Sequence, residues 1–345
     1  MKIDMEEIGR MAEVTRQTVS YVLNDKWKEK RISKGVRDKI FKIAKEVDYH
    51  PNVVARGLAT NRTQNIGVAV SSIEYLTEMY FGTIMQGIAH QVGLHDYNMQ
   101  FEVTDLSSES AKNLYFIKKV KEKSVDGIII IDQAVSDSEI IRLKELNMPF
   151  VLVDRYIPNS GVCCVRVDNR KGIYMAAENL IKKGHKRIAF VCEYMKWNKT
   201  IDMLEGYYQA LKEYGISVDK EIVRDSSRWD VDNGIYIELE NILKRGSQPT
   251  AMLCSSDLVA VQVLRILREM EIMVPQDIAL AGYNDDPNFA HVEPQFTTVR
   301  VPLKEMGEES ARMLFSLIDG EVPGESEVIL EPSLIVRQST EGYTL

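Results

Sequence analysis

The chain has 345 residues, of which 45% are hydrophobic and 27% charged, and its formal net charge is −8 at pH 7. This length is too great for one small domain, and the composition is that of an ordinary soluble protein, which disfavours a membrane-embedded or disordered chain. Acidic side chains interrupt residues Met1–Met11, so neither a signal peptide nor a membrane anchor is predicted, and a cytoplasmic location is expected.

Basic residues are concentrated at the amino-terminal end. Residues 1–63 contain 14 Lys and Arg against nine Asp and Glu, a net charge of +5, so the remainder of the chain carries −13. A polyanion such as nucleic acid is attracted to the basic segment and repelled by the acidic one. The charge distribution therefore predicts that any nucleic acid binds to the first 63 residues.

The segment Met5–Asn24 has the pattern of two short helices joined by a tight turn at residues 12–14. Thr15 is placed to cap the second helix, because its hydroxyl can accept a hydrogen bond from an otherwise unpaired backbone N–H. Apolar side chains at helical spacing are predicted to form a small core, namely Ile8, Met11, Val19, Val22 and Leu23. The side chains left outside, able to contact bases or phosphates, are Arg16, Gln17, Thr18 and Tyr21. A solvated helical hairpin is the alternative interpretation.

Seven short apolar runs follow, and we interpret them as buried strands because they are rich in β-branched residues. Several of the intervening segments have helical spacing, so a parallel α/β sheet is predicted. The predicted strands are Ile66–Val70, Met99–Val103, Val125–Ile131, Phe150–Val153, Arg187–Cys192, Ala251–Cys254 and Ile278–Ala281. The predicted helices are Phe81–Val92, Ser110–Lys121, Gly172–Lys183, Met203–Tyr214 and Asp257–Met270.

Two doubly wound lobes are expected instead of one sheet, since a single sheet of about ten or more strands is unusual. The turn-rich run Asp154–Cys164 is interpreted as the crossover between the lobes. Ligands of such sheets bind beyond the carboxyl ends of the strands, so a small molecule is expected in a cleft between the lobes.

Several separate motifs resemble those of the LacI/GalR family of repressors and follow one another in the same order as in that family. In the head they are V-T-R-Q-T-V-S-Y-V-L-N (Val14–Asn24), I-S (Ile32–Ser33) and Y-H-P-N-V-V-A-R-G-L (Tyr49–Leu58). In the body they include N-I-G-V-A-V (Asn65–Val70), V-D-G-I-I-I (Val125–Ile130), V-D-N-R-K-G (Val167–Gly172) and P-Q-F-T-T-V (Pro294–Val299). The resemblance extends over nearly the whole chain.

The resemblance implies an α-helical helix-turn-helix head and an α/β body made of two doubly wound parallel-sheet lobes of periplasmic-binding-protein type. The implied divisions are a DNA-binding domain at 1–50, a hinge helix and linker at 51–64, and an effector-binding and dimerisation domain at 65–345. Within that last domain, the first lobe is expected at about 65–162 with 296–324, and the second at about 163–295 with 325–345.

For DNA, the resemblance implies that the helix beginning at Thr15 lies in the major groove, where Arg16 and Gln17 read bases. It also implies that Leu58 is wedged into the minor groove and kinks the duplex. The implied DNA-binding residues are Thr15, Arg16, Gln17, Thr18, Tyr21, Asn24, Ser33, Asn52, Ala55, Arg56 and Leu58.

Two features of the head depart from the family pattern. Tyr21 stands where members of the family usually have arginine, so one guanine contact is lost or replaced. The loop Asp25–Arg31 is longer than usual and surrounds Trp27 with the basic residues Lys26, Lys28, Lys30 and Arg31. Added phosphate contacts and a merely solvated loop are both open interpretations of it.

For the effector, the resemblance implies a sugar between the lobes, with Tyr80 and Phe81 lining the pocket and Trp229 stacking on the sugar ring. Core packing is the alternative for each aromatic residue. Met203 stands where relatives commonly have an anchoring arginine, and Trp197 and Lys199 are candidates to replace it. The implied effector-binding residues are Tyr80, Phe81, Asp132, Asp154, Trp197, Lys199, Trp229 and Asn284, with Asp168 as a further polar candidate. Asp257 is either a helix N-cap or a ligand contact.

The sequence thus predicts a transcriptional regulator, a repressor of carbohydrate-utilisation genes, that binds a palindromic site in double-stranded DNA as a homodimer under the control of a small carbohydrate. Its five histidines are scattered and no catalytic motif is present, so no enzyme, metal site or cofactor is expected. Buried thiols are expected for Cys163, Cys164, Cys192 and Cys254. The alternative function is a solute-binding protein of sugar transport, which shares the two-lobed body.

Overall fold

The computed structural model describes residues 3–24, 26–50, 57, 60, 62–70, 78–103, 122–131, 135–192, 195–225, 234–243, 248–321 and 324–342. The chain forms two compact units. The first comprises Met1–Gln64 and Lys123–Asp126, and the second comprises Asn65–Glu122 and Gly127–Leu345. The predicted helix Ser110–Lys121 lies outside the described residues.

The described residues 3–50 of the first unit contain three helices, and each is preceded by a residue whose side chain accepts backbone N–H groups. The helices are α1 (Met5–Ala12), α2 (Arg16–Leu23) and α3 (Lys34–Glu46). Asp4 caps α1, the Thr15 hydroxyl caps α2, and the Ser33 hydroxyl caps α3. The predicted capping role of Thr15 is confirmed, with a distance of 3.2 Å from its Oγ1 to the backbone nitrogen of Thr18. Each cap satisfies an N–H that a helix cannot pair internally.

The core of the first unit lies where the three helices meet. Ile8, Val19 and Val22 are fully buried there, as predicted, together with residues of α3. Met11, by contrast, is 44% exposed, so its predicted place in this core is wrong. Ile8 and Ala12 define the buried face of α1, and Met11 is rotated by about 100° from Ala12 because a helix has 3.6 residues per turn.

Asp126 holds the end of the linker that leaves the three helices. The backbone N–H and the hydroxyl of Thr63 donate to its Oδ1 at 2.7 and 2.9 Å, and the N–H of Gln64 donates to its Oδ2 at 3.0 Å. Hydrogen bonds to an ionised carboxylate are stronger than those between neutral groups. The backbone at Thr63 and Gln64 is therefore fixed within this unit.

The described part of the second unit contains two six-stranded sheets. The first consists of β1 (Asn65–Val70), β2 (Asn98–Val103), β3 (Gly127–Ile130), β4 (Phe150–Val153), β5 (Cys164–Val167) and β11 (Glu327–Leu330). The second consists of β6 (Ile188–Cys192), β7 (Val223–Asp225), β8 (Ala251–Cys254), β9 (Ala279–Asn284), β10 (Thr297–Arg300) and β12 (Ser333–Ile335). The strand orders are β11-β5-β4-β3-β1-β2 and β12-β10-β9-β8-β6-β7.

All neighbouring strands are parallel except β10 and β12. In the described residues, the helices that connect and cover them are α4 (Met79–Leu94), α5 (Asp137–Glu145), α6 (Asn169–Lys182), α7 (Asn198–Glu213), α8 (Gly234–Leu243), α9 (Asp257–Glu269) and α10 (Leu303–Ile318). In this doubly wound arrangement most strands are buried on both faces, which explains their continuous apolar composition.

All seven predicted strands are present, but the predicted crossover is wrong. Asp154–Cys164 connects β4 to β5, which are neighbours in the same sheet. The chain passes to the second sheet only after β5, through Asp168, which caps α6. The turn-forming residues that suggested a crossover instead form a surface loop between two paired strands. Gly161 in this loop has a φ of 61°, a conformation that glycine adopts readily in turns.

The expected lobe boundaries are also wrong at three strands. Cys164–Val167 and Glu327–Leu330 pair with each other in the first sheet, although both were placed in the second lobe. Thr297–Arg300 pairs with β9 in the second sheet, although it was placed in the first lobe. Backbone pairing to strands distant in sequence decides these assignments.

The four cysteines are free thiols, as predicted. Cys164, Cys192 and Cys254 are buried, whereas Cys163 is only partly buried. Burial raises the pKa of the Cys164 thiol to about 12, which keeps it in the unreactive protonated form.

Candidate DNA-binding surface and ligand site

The exposed face of α2 carries the side chains predicted to read DNA. Arg16 and Gln17 are exposed in its first turn, and Tyr21, one turn later, is half-buried. The amide nitrogen of Gln17 donates a hydrogen bond of 2.7 Å to the hydroxyl of Tyr21. Val19 and Val22, on the opposite face, hold α2 against the other helices. The helix therefore presents polar groups to solvent from a rigid base.

Other residues predicted to bind DNA have local structural roles as well. The hydroxyls of Thr15 and Thr18 are 2.9 Å apart, and that of Ser33 accepts the N–H of Val36 at 3.3 Å. Asn24 follows α2 and donates its amide to the carbonyl of Ser20 at 2.8 Å, so it fixes the end of the helix. The predicted hinge residues Asn52, Ala55, Arg56 and Leu58 lie outside the described residues.

A chain of hydrogen bonds joins the two lobes in the second unit. The hydroxyl of Tyr80, at the start of α4, donates to Oδ2 of Asp154 at 2.7 Å. The amide of Asn169, in α6, donates to the other oxygen of Asp154 at 3.2 Å and accepts the hydroxyl of Tyr283 at 2.8 Å. Asp154 follows β4 of the first sheet, while Tyr283 lies in β9 of the second. The predicted ligand residues Tyr80 and Asp154 therefore lie together where the lobes meet.

The start of α7 brings a cation and a second aromatic residue to the same place. Nζ of Lys199 lies 5.1 Å from the centre of the Tyr80 ring and 5.4 Å from that of Trp197, which are cation–π distances. Phe81 packs edge to face against Tyr80, with ring centres 5.2 Å apart. Five of the predicted effector residues are thus neighbours: Tyr80, Phe81, Asp154, Trp197 and Lys199.

A second bridge between the lobes was not predicted. The hydroxyl of Tyr156 donates to Oδ1 of Asp202 in α7 at 2.9 Å, and Nη1 of Arg166 lies 3.8 Å from the other oxygen of Asp202. The guanidinium of Arg166 also lies 4.8 Å from the centre of the Tyr156 ring. Burial raises the pKa of Asp202, and the hydrogen bond from Tyr156 opposes that shift. No sequence motif signalled this bridge, because its members come from three separate elements.

The remaining predicted ligand residues have varied positions. Asn284 ends β9 with a φ of 108°, directly after Tyr283. Asp168 accepts the N–H of Lys171 as the cap of α6, and Met203 is buried in the core. Asp132 and Trp229 lie outside the described residues.

Asp257 is neither exposed nor a helix cap. Ser256 caps α9 by accepting the N–H of Val259 at 3.2 Å, so the N-cap interpretation of Asp257 is wrong. Oδ1 of Asp257 accepts the hydroxyl of Thr298 at 2.7 Å, and Oδ2 accepts the N–H of Asp286 at 2.8 Å. The side chain thus ties α9 to β10 and to the turn after β9.

This carboxyl group makes stability depend on pH. Burial raises the pKa of Asp257 from 3.8 to about 7. The folded chain holds the proton between about pH 4 and pH 7 while the unfolded chain releases it, so the stability contribution falls as pH rises through this window. Relative to Asp257→Asn, which cannot ionise, the wild type should be more stable at pH 5 than at pH 8 by about 2–3 kcal/mol. Urea unfolding of both proteins at the two pH values measures this difference, and a difference independent of pH would contradict it.

Among the described residues, no group of three or more His, Cys, Asp or Glu is placed to hold a metal ion. His185 is fully buried, and burial lowers its pKa to about 4. Its Nδ1 lies 3.0 Å from the hydroxyl of Thr250, which fits a structural role. No helix in the described ranges combines the length and the apolar character that a bilayer crossing requires.

Two segments of the chain match known families. Residues 4–52 match the bacterial regulatory proteins of the lacI family, and residues 177–340 match the periplasmic binding protein-like domain. The HTH-type transcriptional regulator RegA of Clostridium saccharobutylicum is 32% identical over 99% of this chain and 100% of its own length. The HTH-type transcriptional regulator GalR of Escherichia coli (strain K12) is 28% identical over 99% of this chain and 96% of its own. These similarities span both units.

Solved structures resemble both units too. A complex of the transcriptional regulator CelR with cellobiose has a TM-score of 0.73 and 28% identity, over 98% of this chain and 100% of that one. The lac repressor dimer bound to operator and the anti-inducer ONPF has a TM-score of 0.81 and 24% identity, over 99% of each chain. The second comparison shows a shared fold of head and lobes.

Proposed function

The chain belongs to the lacI family of bacterial regulatory proteins, and on this premise we propose that it represses carbohydrate-utilisation genes under the control of a carbohydrate bound between its lobes. As a member of that family it is a DNA-binding transcriptional regulator and not an enzyme. The predicted family, fold class and regulatory function are thereby confirmed. The alternative of a transport protein does not account for the match at residues 4–52.

In this proposal α2 lies in the major groove, with Arg16 and Gln17 reading bases. Their exposure and their capped, rigid helix support the assignment. Thr15, Thr18 and Ser33 contact phosphates through hydroxyls beside helix starts, and Tyr21 and Asn24 complete the surface. From the sequence alone we assign the remaining contacts to the hinge residues Asn52, Ala55, Arg56 and Leu58.

We further propose a homodimer bound to a two-fold symmetric site. A single recognition helix reads only a few base pairs, and two heads related by a two-fold axis read two half-sites. A regulator that binds chromosomal DNA works in the cytoplasm, and we place the protein there.

The observation that carries the effector proposal is the convergence at Asp154. One carboxylate accepts Tyr80 from the first lobe and Asn169 from the second, and Lys199 lies over the Tyr80 ring. Aromatic faces suit the C–H side of a sugar ring, while polar groups suit its hydroxyls. The relative CelR is known with cellobiose bound. We add Phe81, Trp197 and Asn284 to this site, and from the sequence alone Asp132 and Trp229.

Asp154→Asn is expected to weaken sugar binding at least tenfold. Asparagine tolerates the left-handed φ of 52° at this position, but Tyr80 and Asn169 donate to different oxygens of Asp154, and asparagine replaces one of these acceptors with an NH₂ group, which can only donate. A thermal-shift screen of mono- and disaccharides, including cellobiose, identifies the ligand, because a ligand at 100 times its Kd adds about 2.7 kcal/mol. The screen is then repeated with the variant.

Asp96→Asn is the matched control, because Asp96 has a φ of 56° and lies exposed after α4. It should respond to sugar as the wild type does. If no sugar stabilises the wild type, the effector is not a carbohydrate. If Asp154→Asn binds the sugar with unchanged affinity, the site lies elsewhere.

A further inference from the structure

The recognition surface of α2 extends beyond the helix itself. Tyr21 accepts the amide of Gln17 on its hydroxyl, and Nζ of Lys30 lies 5.3 Å from the centre of its ring. Lys30 belongs to the loop between α2 and α3 and is exposed. Three side chains, two from the helix and one from the loop, are therefore linked through Tyr21.

The backbone of the loop holds Lys30 in this position. The N–H of Lys26 donates to the carbonyl of Tyr21 at 2.8 Å, which ties the start of the loop to α2. The N–H of Lys30 donates to the carbonyl of Lys26 at 3.0 Å, and that of Ile32 donates to the carbonyl of Trp27 at 2.8 Å. These backbone hydrogen bonds restrict the conformations of the loop, so Lys30 has a better-defined position than it would have in a fully solvated loop.

Trp27 anchors the loop to the rest of the head. Its ring packs against the core of the three helices, and the guanidinium of Arg37 in α3 lies 4.8 Å from its centre. Nζ of Lys28 lies 5.5 Å from the same ring. Lys28 therefore lies over the ring of Trp27, in the loop itself, whereas Lys30 lies over the ring of Tyr21, which belongs to α2.

The groups that meet at Tyr21 are hydrogen-bond donors. The tyrosine oxygen accepts from Gln17, so its own proton is available to donate, and the Lys30 ammonium can only donate. In the major groove, guanine presents two adjacent acceptors, O6 and N7, and no donor. This set of donors thus matches the guanine edge better than the edge of any other base.

We propose that Lys30, supported on the ring of Tyr21, reads a guanine in each half-site of the DNA. This proposal rests on the proposed use of α2 as the recognition helix. It makes Lys30 a specificity-determining residue supplied by the loop, next to the bases read by Arg16 and Gln17. A phosphate contact by the same ammonium is the competing outcome, and it carries no sequence information.

The test uses the full-length protein. A two-fold symmetric site is selected from randomised DNA with the wild type, and affinities for all single-base variants of that site are then measured for wild type, Lys30→Ala and Lys28→Ala. Lys28→Ala is the matched control, since it removes the same charge from the same loop but from the ring of Trp27. Unchanged thermal unfolding of the variants shows that the head is intact.

For Lys30→Ala we expect about a tenfold loss of preference at one G·C pair in each half-site, with the other positions unchanged. Lys28→Ala should lower affinity for every sequence alike, with a shallower salt dependence. Tyr21→Phe, which keeps the ring and removes the hydroxyl, should weaken the preference at the same G·C pair.

If Lys30→Ala lowers affinity for every variant site equally, as Lys28→Ala does, the lysine contacts phosphate only and the proposal is wrong. If Lys30→Ala changes nothing, the proposal is equally wrong. Should the wild type enrich no DNA sequence at all, it is the proposed function that fails, and the role of Lys30 fails with it.

Discussion

Replacing Arg16 and Gln17 together with alanine is expected to lower affinity for the selected DNA site at least about 100-fold, since each good side-chain pair with a base contributes about 1–3 kcal/mol and a dimer makes every contact twice. Binding to random DNA depends on phosphate contacts and should fall much less. Both side chains are exposed, and alanine is a strong helix former, so α2 should remain folded.

Fluorescence anisotropy with the selected site and with random DNA at one salt concentration measures both losses. Arg10→Ala is the control, because it removes one exposed positive charge from α1 on the same head. It should reduce both affinities slightly and equally. Equal losses on specific and random DNA for the Arg16 and Gln17 double variant would show that α2 does not read bases.

Gly307→Ala is expected to destabilise the first lobe by about 3 kcal/mol, the upper end of the usual cost of overpacking a core. α4 and α10 approach with backbone in contact: a Cβ on Gly307 would lie 2.1 Å from the carbonyl oxygen of Ile84, and a Cβ on Gly87 would lie 2.0 Å from that of Lys304. A backbone carbonyl cannot turn away as a flexible side chain can. The two helices must therefore separate, and the buried side chains between them lose contact.

Gly93→Ala is the matched control, since Gly93 lies in α4 and, apart from its chain neighbours and the backbone of its own helix, no atom lies within 4 Å of its added Cβ. It should be neutral or stabilising by up to about 1 kcal/mol, because alanine has the higher helix propensity. Urea unfolding gives the free energy of unfolding of each variant. If Gly307→Ala is as stable as Gly93→Ala, the close approach of the helices is not what Gly307 maintains.

Continuous apolar runs predicted the central strands correctly, because strands buried on both faces carry a strong signal. The strand Cys164–Val167 was missed, because Arg166 interrupts its short apolar run. Only its pairing with β4 and β11 shows that it is a strand. The helix Leu303–Ile318 was not predicted either, although its buried residues recur at helical spacing. The predicted lobe boundaries were wrong because the chain crosses between the sheets after β5, and not in the turn-rich run Asp154–Cys164.

Resemblance to the family predicted Tyr80 and Asp154 as ligand residues, but it gave no indication of Asn169 and Tyr283, which form a hydrogen-bond chain with them. Both are polar groups buried between elements that are distant in sequence, and only the assembled fold shows which donor meets which acceptor. The support of Lys30 on Tyr21 could not be predicted either, because it depends on the path of the loop backbone. The sequence showed a longer basic loop and an unusual tyrosine, and the backbone of the loop brings them together.

We propose that a ligand bound between the lobes controls DNA binding by the head. The direct measurement is the affinity of the full-length protein for its selected DNA site as the sugar found by thermal shift is titrated, beside the same titration of Asp154→Asn. We predict that the sugar changes the wild-type affinity by about tenfold or more, a typical coupling between two sites. The variant should need at least about ten times more sugar than the wild type for the same change in affinity. A wild-type affinity that is identical with and without saturating sugar would show that the site between the lobes does not control DNA binding.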